Sequence, residues 1–335
     1  MTKIGINGFG RIGRMALKIA LNKKDLEVVA VNDLADLSTL AHLLKYDSSY
    51  GIYPHEVTTE EGALIVDGKK IQVLSEKDPA SLPWGDLGVE VVIESTGIFT
   101  TEEEAGKHLT AGAKKVLISA NPKSDSIPSI VFGVNEDEYN PAKHDIVANC
   151  SCTSNCLANV AKVLNDGLGI KKGLMSTVHS VTNTQRILDL AHKNLREARS
   201  AGQNIIPTDT GAAKSIGKLV PELNGIMHGM AFRVPTPVVS VVDLVCLLKK
   251  KTIKEEVDKV FIEAAKSDRY KGILGVSLEP LVSMDYKGST YSAIVDLPLT
   301  LVVDGDLVKV VAWYDNEWGY SNRLVESVQY IAKKL

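Results

Sequence analysis

Aromatic residues are scarce in this chain: Phe, Trp and Tyr together make up 5% of its 335 residues. The core must then be filled mainly by Val, Ile, Leu and Ala, and a core rich in β-branched residues suits buried parallel strands. Cysteine is rarer still. Four in a chain of this length exclude a disulfide-built scaffold. No long apolar run is present, because the most apolar stretch, 238–248, is broken by Ser240 and Asp243 and is too short to span a bilayer. An excess of one charge is missing as well. Lys and Arg number 38 against 41 Asp and Glu, a formal net charge of −3, so nucleic acid is not expected as the main partner. The opening residues Met1-Thr2-Lys3-Ile4 run into a strand-like segment without the marks of a secretion signal, so a reducing cytoplasm is the expected location.

At about 100–200 residues per domain the length allows two. Short apolar runs at 3–7, 26–32, 89–95, 115–120, 130–134 and 146–149 read as buried strands, and 14–21 and 101–111 as helices between them. Alternation of this kind predicts a doubly wound parallel sheet of Rossmann type. Residues 50–74 interrupt the rhythm, with alternation through 63–66, Asp67-Gly68 and 71–73 predicting an inserted hairpin. Beyond residue 151 the pattern changes. A helix beginning near Ser154 carries Leu157, Val160, Ala161 and Leu164 on one face. Strand-like runs follow at 174–181, 228–234, 238–248, 292–297 and 300–314, with a hairpin turn at Asp304-Gly305. Thr252 and Glu255 predict a capping box for a helix over 253–266. The expected organisation is a dinucleotide-binding domain from 1–151 and 318–335, and an α+β catalytic domain from 152–317 with a mainly antiparallel sheet. The closing amphipathic helix, marked by Leu324, Val325, Val328, Ile331 and Leu335, is expected to return to the first domain.

Gly8, Gly10 and Gly13 form a G-x-G-x-x-G pattern that follows a strand and opens a helix. One glycine permits the turn, one lets backbone approach a pyrophosphate, and one lets helix pack on strand. Asp33 stands 20 residues after Gly13, where a carboxylate accepts ribose hydroxyls and repels a 2′-phosphate, which favours NAD over NADP.

Three of the four cysteines, Cys150, Cys152 and Cys156, fall within seven residues. A metal site, a local disulfide and a reactive thiol are the candidates, and the spacing is not one typical of zinc. Cys152 is placed at a helix N-terminus, where the dipole favours thiolate, while Cys150 and Cys156 read as packing residues. A thiolate needs a base, and of seven histidines His179 stands where a strand runs into a polar loop. Spacing alone leaves His179 open between that role, facing the thiol across an interdomain cleft, and a structural one. Arg233 is equally open between a salt bridge and an anion site.

Beyond these local patterns, five blocks in order carry a resemblance over essentially the whole chain. They are Asn7 to Arg14, Ser151-Cys152-Thr153, Ile206 to Lys214, Arg233-Val234-Pro235-Thr236-Pro237, and Trp313 to Tyr320. The chain resembles the phosphorylating glyceraldehyde-3-phosphate dehydrogenase family. The resemblance implies an NAD-dependent enzyme in which Cys152 attacks the aldehyde and His179 acts as base. Hydride passes to the nicotinamide, a thioester remains on Cys152, and inorganic phosphate releases 1,3-bisphosphoglycerate. It further implies that Thr182 and Arg233 meet the phosphate of glyceraldehyde 3-phosphate, and that Ser151, Thr153, Thr210 and Gly211 meet the attacking phosphate. Around the dinucleotide it implies Arg11, Ile12, Lys77, Ser119 and Asn316 besides Gly8, Gly10, Gly13 and Asp33. A homotetramer without membrane association is implied, and the alternative substrate is erythrose 4-phosphate or a related phosphorylated aldehyde.

The sequence departs from the family pattern at several points. Thr184 stands where many bacterial members have Asp, Ala191 replaces a Pro frequent in NAD-preferring members, and Glu197 stands where many carry a second Arg. A carboxylate there weakens phosphate binding unless its side chain points away.

Overall fold

The computed structural model describes all residues from Met1 to Leu335, in two compact units. The first comprises Met1–Ile130, Glu138–Cys150 and Ser321–Leu335, and the second Val131–Asp137 and Ser151–Tyr320. Relative to the expected boundaries, the second unit takes in Ser151 and the segments 131–137 and 318–320.

The first unit is built on an eight-stranded sheet. Its order is Ile146–Ala148, Lys115–Ile118, Val91–Glu94, Thr2–Asn7, Leu26–Asn32, Lys69–Leu74, Ala63–Val66 and Val57–Glu60. The first six strands run parallel, and the last two join antiparallel through the expected hairpin. Asp67 and Gly68, at φ of 47° and 75°, supply the left-handed pair that a two-residue turn requires. Val91–Glu94 and Lys115–Ile118 are buried at every position, as a parallel sheet covered on both faces demands. The expected strand at 130–134 does not form. Only Ser129 bridges to Ala148, and 132–135 turn instead, held where Asn135 Oδ1 accepts the Val131 N–H at 2.9 Å.

Asn7 and Glu94 end the two central strands, and the Asn7 amide donates to the Glu94 carboxylate at 2.6 Å. His108 Nε2 lies 3.0 Å from the same oxygen, and Trp84 Nε1 donates to His108 Nδ1 at 3.0 Å. Since Nδ1 accepts, Nε2 bears the proton and donates to Glu94. Backbone and hydroxyl of Thr96 donate to the other carboxylate oxygen, so the fully buried charge is satisfied on all sides. Thr96 is also the wall against which the glycine turn rests: a Cβ on Gly8, whose φ is 92°, would stand 2.6 Å from its nitrogen.

The second unit centres on a mixed sheet in the order Ile206–Thr208, Met227–Val234, Ile170–Ser180, Ser240–Leu248, Leu307–Tyr314, Ala293–Asp296, Leu274–Ser277. Leu301–Val303 pairs with Leu307–Tyr314 through the Asp304-Gly305 turn. The pairing is mainly antiparallel, with Ile170–Ser180 parallel to Met227–Val234 and Leu274–Ser277 parallel to Ala293–Asp296. Leu157, Val160, Ala161 and Leu164 are all fully buried on the helix Cys152–Leu168. The helix Lys254–Lys266 lacks the expected capping box: Thr252 Oγ1 donates to Glu256 Oε2 at 2.9 Å, and Ile253 caps without a side-chain bond. The backbone N–H of Thr252 is committed to Gly305 O and is therefore not offered to a Glu255 carboxylate, as the box requires.

Gly13 sits inside a helix, where alanine ordinarily stabilises by about 0.5–1 kcal/mol. Here a Cβ would lie 2.1 Å from Gly8 O. Gly13→Ala is expected to invert the sign and destabilise by about 2 kcal/mol, read by urea unfolding. A more stable variant would contradict this packing.

Candidate active site

Ser151 caps the helix Cys152–Leu168, its Oγ accepting the Ser154 N–H at 3.1 Å. Cys152 is therefore the first helical residue, two positions ahead of the start expected from periodicity. No acidic residue occupies the first turn, so the positive helix end is left to whatever lies beside Cys152.

His179 is the penultimate residue of the strand Ile170–Ser180, and 4% exposed. Its Nε2 lies 3.4 Å from Cys152 Sγ. Both residues belong to the second unit, so the pair needs no cleft between domains. Nδ1 lies 2.7 Å from the Ser180 carbonyl and 2.5 Å from Arg233 Nη1. One nitrogen cannot donate to the first and accept from the second. When Nδ1–H is given to Ser180 O, Nε2 is bare and faces the thiol; when Arg233 donates to Nδ1, Nε2 carries the proton. Arg233 Nη1 also reaches Ser180 O, at 3.2 Å.

Burial and the Arg233 charge push the His179 pKa down to about 3, against the Ser180 carbonyl, which acts to raise it. Burial pushes the Cys152 thiol up, and Arg233 offsets only part of that. Desolvation thus works against the thiolate that the helix end and the Arg233 charge favour. Cys150, Cys156 and Cys246 are buried and form no disulfide, and burial pushes Cys246 up to about 12.

Tyr314 fixes both partners. Its hydroxyl lies 2.8 Å from Thr153 Oγ1 and 2.9 Å from Thr177 Oγ1, and its ring stands edge-on to His179 with centroids 6.0 Å apart. The sequence pattern marked Tyr314 as part of a family block but gave it no role. Strand alternation carries the signal, since Val308, Val310, Ala312 and Tyr314 all point inward. Thr153, expected at the attacking phosphate, spends its hydroxyl on Tyr314 and is 4% exposed, which leaves its backbone for any anion.

Thr210 caps the helix Gly211–Leu219, accepting the Ala212 N–H at 3.3 Å, and again no acidic residue follows in the first turn. Ser151, Ser154 and Ser215 link the start of the first helix to the second turn of the other through hydroxyl contacts of 2.8 and 3.0 Å. Two uncompensated N-termini beside a thiol form a basin for a tetrahedral anion. Arg233 lies next to His179 in parallel register, and Thr182 follows the strand in an exposed turn. Glu197 points into hydrogen bonds rather than open space: Thr208 Oγ1, Asn194 Nδ2 and Gln185 Nε2 donate to it at 2.7, 3.2 and 3.1 Å. Asn316 is buried, its Oδ1 accepting from Ser180 Oγ and Ser240 Oγ at 3.0 and 3.2 Å.

The remaining candidates lie in the first unit. The helix Arg11–Ala20 begins on Gly10 with no side-chain cap and no acid in its first turn. A Cβ on Gly10 would meet nothing within 4 Å, so an open cradle lies at the helix end while Gly8 and Gly13 are packed tight. Asp33 directly follows the neighbouring strand, its carboxylate held by the Phe9 N–H at 2.8 Å and the Ala35 N–H at 3.1 Å. Cradle, bare helix end and tethered carboxylate fit a dinucleotide's pyrophosphate and ribose. Arg11 is committed to Asp47 at 2.7 Å, Ile12 is half-buried beside it, Ser119 donates its N–H to Glu94 O, and Lys77 is exposed.

This combination defines an oxidoreductase of the nicotinamide-dinucleotide class with a cysteine and a histidine paired in its second unit. A family model described as glyceraldehyde 3-phosphate dehydrogenase, NAD binding domain, matches residues 2–102, and its C-terminal domain counterpart matches 151–316. The chain is 58% identical over 332 residues to glyceraldehyde-3-phosphate dehydrogenase of Geobacillus stearothermophilus, covering 99% of this chain and 98% of the relative. It is equally similar to glyceraldehyde-3-phosphate dehydrogenase 1 of Bacillus subtilis, and 53% identical over 334 residues to the Streptomyces coelicolor enzyme, with 99% of both chains covered. The chain belongs to the glyceraldehyde 3-phosphate dehydrogenase family.

The geometry makes Cys152 reactive through His179. Iodoacetamide is expected to label Cys152 before Cys156 or Cys246, and His179→Asn to slow that labelling at least tenfold at neutral pH and move its pH midpoint upward. Equal rates in the variant would sever the thiol from the imidazole.

Proposed function

We propose that this chain oxidises D-glyceraldehyde 3-phosphate to 1,3-bisphosphoglycerate, with NAD as cofactor and inorganic phosphate as acceptor, through a thioester on Cys152. It thereby serves glycolysis and gluconeogenesis. The observation that carries this reading is the Cys152 thiol, 3.4 Å from His179 Nε2 at a helix start that shares its anion basin with a second helix. The first unit is the dinucleotide-binding part of the enzyme and the second the catalytic part.

Nε2 takes the thiol proton as Sγ attacks the aldehyde carbon, and returns it to the developing oxygen, with the Cys152 N–H as a candidate donor there. An anionic group drawn onto Arg233 pulls the guanidinium from Nδ1, which selects the tautomer with Nδ1–H on Ser180 O and a bare Nε2. That base then removes the hemithioacetal proton as the carbon is oxidised. NAD, when bound, supplies the hydride acceptor. Inorganic phosphate attacks the thioester carbon and the Cys152 thiolate leaves, the second half of a covalent route. Thr182 and Arg233 hold the substrate phosphate; Ser151, Thr210, Gly211 and the Thr153 backbone receive the attacking one. Gly8, Gly10, Arg11, Ile12, Gly13, Asp33, Lys77, Ser119 and Asn316 form the cofactor's contacts.

We also propose a homotetramer in the cytoplasm. Leu174 at 67% exposed, Val178 and Met230 stand on one face of the second unit's sheet, an apolar patch suited to another subunit. A reactive thiol is best kept in a reducing compartment, and no helix is long and apolar enough to cross a membrane. Sedimentation equilibrium is expected to give four chains; a monomer would contradict the assembly.

NADH formation from glyceraldehyde 3-phosphate is expected to depend on phosphate and to exceed the rate with erythrose 4-phosphate. Cys152→Ser is expected to abolish it while leaving NAD binding intact. Substantial turnover by that variant would overturn the mechanism.

A further inference from the structure

Gln185 is buried at 7% exposure, and all four hydrogen-bonding positions of its side-chain amide are used. Nε2 donates to Glu197 Oε2 at 3.1 Å and to Thr184 Oγ1 at 2.9 Å. Oε1 accepts both the N–H and the hydroxyl of Thr182, each at 2.9 Å. A carboxylate only accepts and a backbone N–H only donates, so the amide cannot flip between them. Its direction sets that of the hydroxyls. Thr184 receives the amide proton and gives its own to Thr182 Oγ1, 2.9 Å away, and Thr182 gives its proton to Oε1. Three side chains thus close a ring whose sense is imposed jointly by the Thr182 N–H and by Glu197, itself anchored by Thr208 and Asn194.

From this arrangement we propose that Glu197 is a positioning residue: acting through Gln185, it holds the Thr182 hydroxyl proton inside the ring and restrains its donation to the substrate phosphate. The inference rests on the reading of Thr182 as a phosphate contact. For Thr182 to donate to an anion the ring must open, at the cost of one hydrogen bond. Glu197→Gln keeps the shape and can still accept from Thr208, but its amide also donates. Gln185 then keeps only the Thr182 N–H to fix its direction, so the ring opens more readily and the Thr182 hydroxyl is released toward the phosphate.

The test is a double-mutant cycle on the Michaelis constant for glyceraldehyde 3-phosphate, at saturating NAD and phosphate. Glu197→Gln is expected to lower KM about fivefold, the equivalent of one ordinary hydrogen bond of ~1 kcal/mol, with the change in KM rather than kcat. The gain is expected to vanish in the Thr182→Val background, to survive in Thr182→Ser, and to persist at 0.5 M salt, which screens a bare charge effect, in an assay of roughly three times the usual ionic strength. A gain that persists in Thr182→Val, or one that disappears in high salt, would make Glu197 a repelling charge and overturn the relay, as would an unchanged or raised KM in Glu197→Gln. Failure of the functional reading is a separate result, since the wild-type chain would then form no NADH from this aldehyde.

Discussion

A thiol and an imidazole held 3.4 Å apart exchange a proton usefully only while neither can drift, and much of the second unit constrains that distance. The thiol belongs to the first residue of a helix capped by Ser151, and the imidazole to the next-to-last residue of a strand. Tyr314 ties the two together by bonding Thr153, one residue beyond the thiol, and Thr177, two residues before the histidine. Because strand residues two apart share a face, Thr177 and His179 point the same way, and the tyrosine ring packs against the histidine it positions.

Around that pair the polar groups on offer are helix ends more than charged side chains. A short serine chain links the start of one helix to the second turn of another, and Arg233 adds one guanidinium that also touches His179. The near-neutral composition is compatible with the proposed function, which asks for N–H groups and one well-placed cation rather than a basic surface. The same economy appears in the first unit. There the glycine turn leaves open space at Gly10 only, and the buried Glu94 charge organises the wall behind Gly8.

The elements that could be read from the sequence were those in which a local pattern and the tertiary fold demand the same thing. Parallel strands such as Val91–Glu94, the Asp67-Gly68 and Asp304-Gly305 turns, and the apolar face of the Cys152 helix are of this kind. The segment 130–134 failed because its apolar residues serve a turn in which Asn135 satisfies the backbone. The Thr252 box failed because a neighbouring loop claims its N–H. Ile206–Thr208 and Leu274–Ser277 are too short for any period to register. In the site, the helix start at Cys152 was legible, but the burial that opposes its ionisation was not, because burial depends on what packs over the thiol. The hydroxyl of Thr153 and the amide of Gln185 were equally hidden, since their partners lie far along the chain or behind an intervening turn.

The most direct measurement of the account is a single-turnover experiment with glyceraldehyde 3-phosphate and NAD in the absence of phosphate, followed by peptide mass mapping. The account predicts a burst of about one NADH per chain and an acyl group on Cys152 that inorganic phosphate then removes. A burst without an adduct at Cys152, or an adduct on another residue, would contradict it.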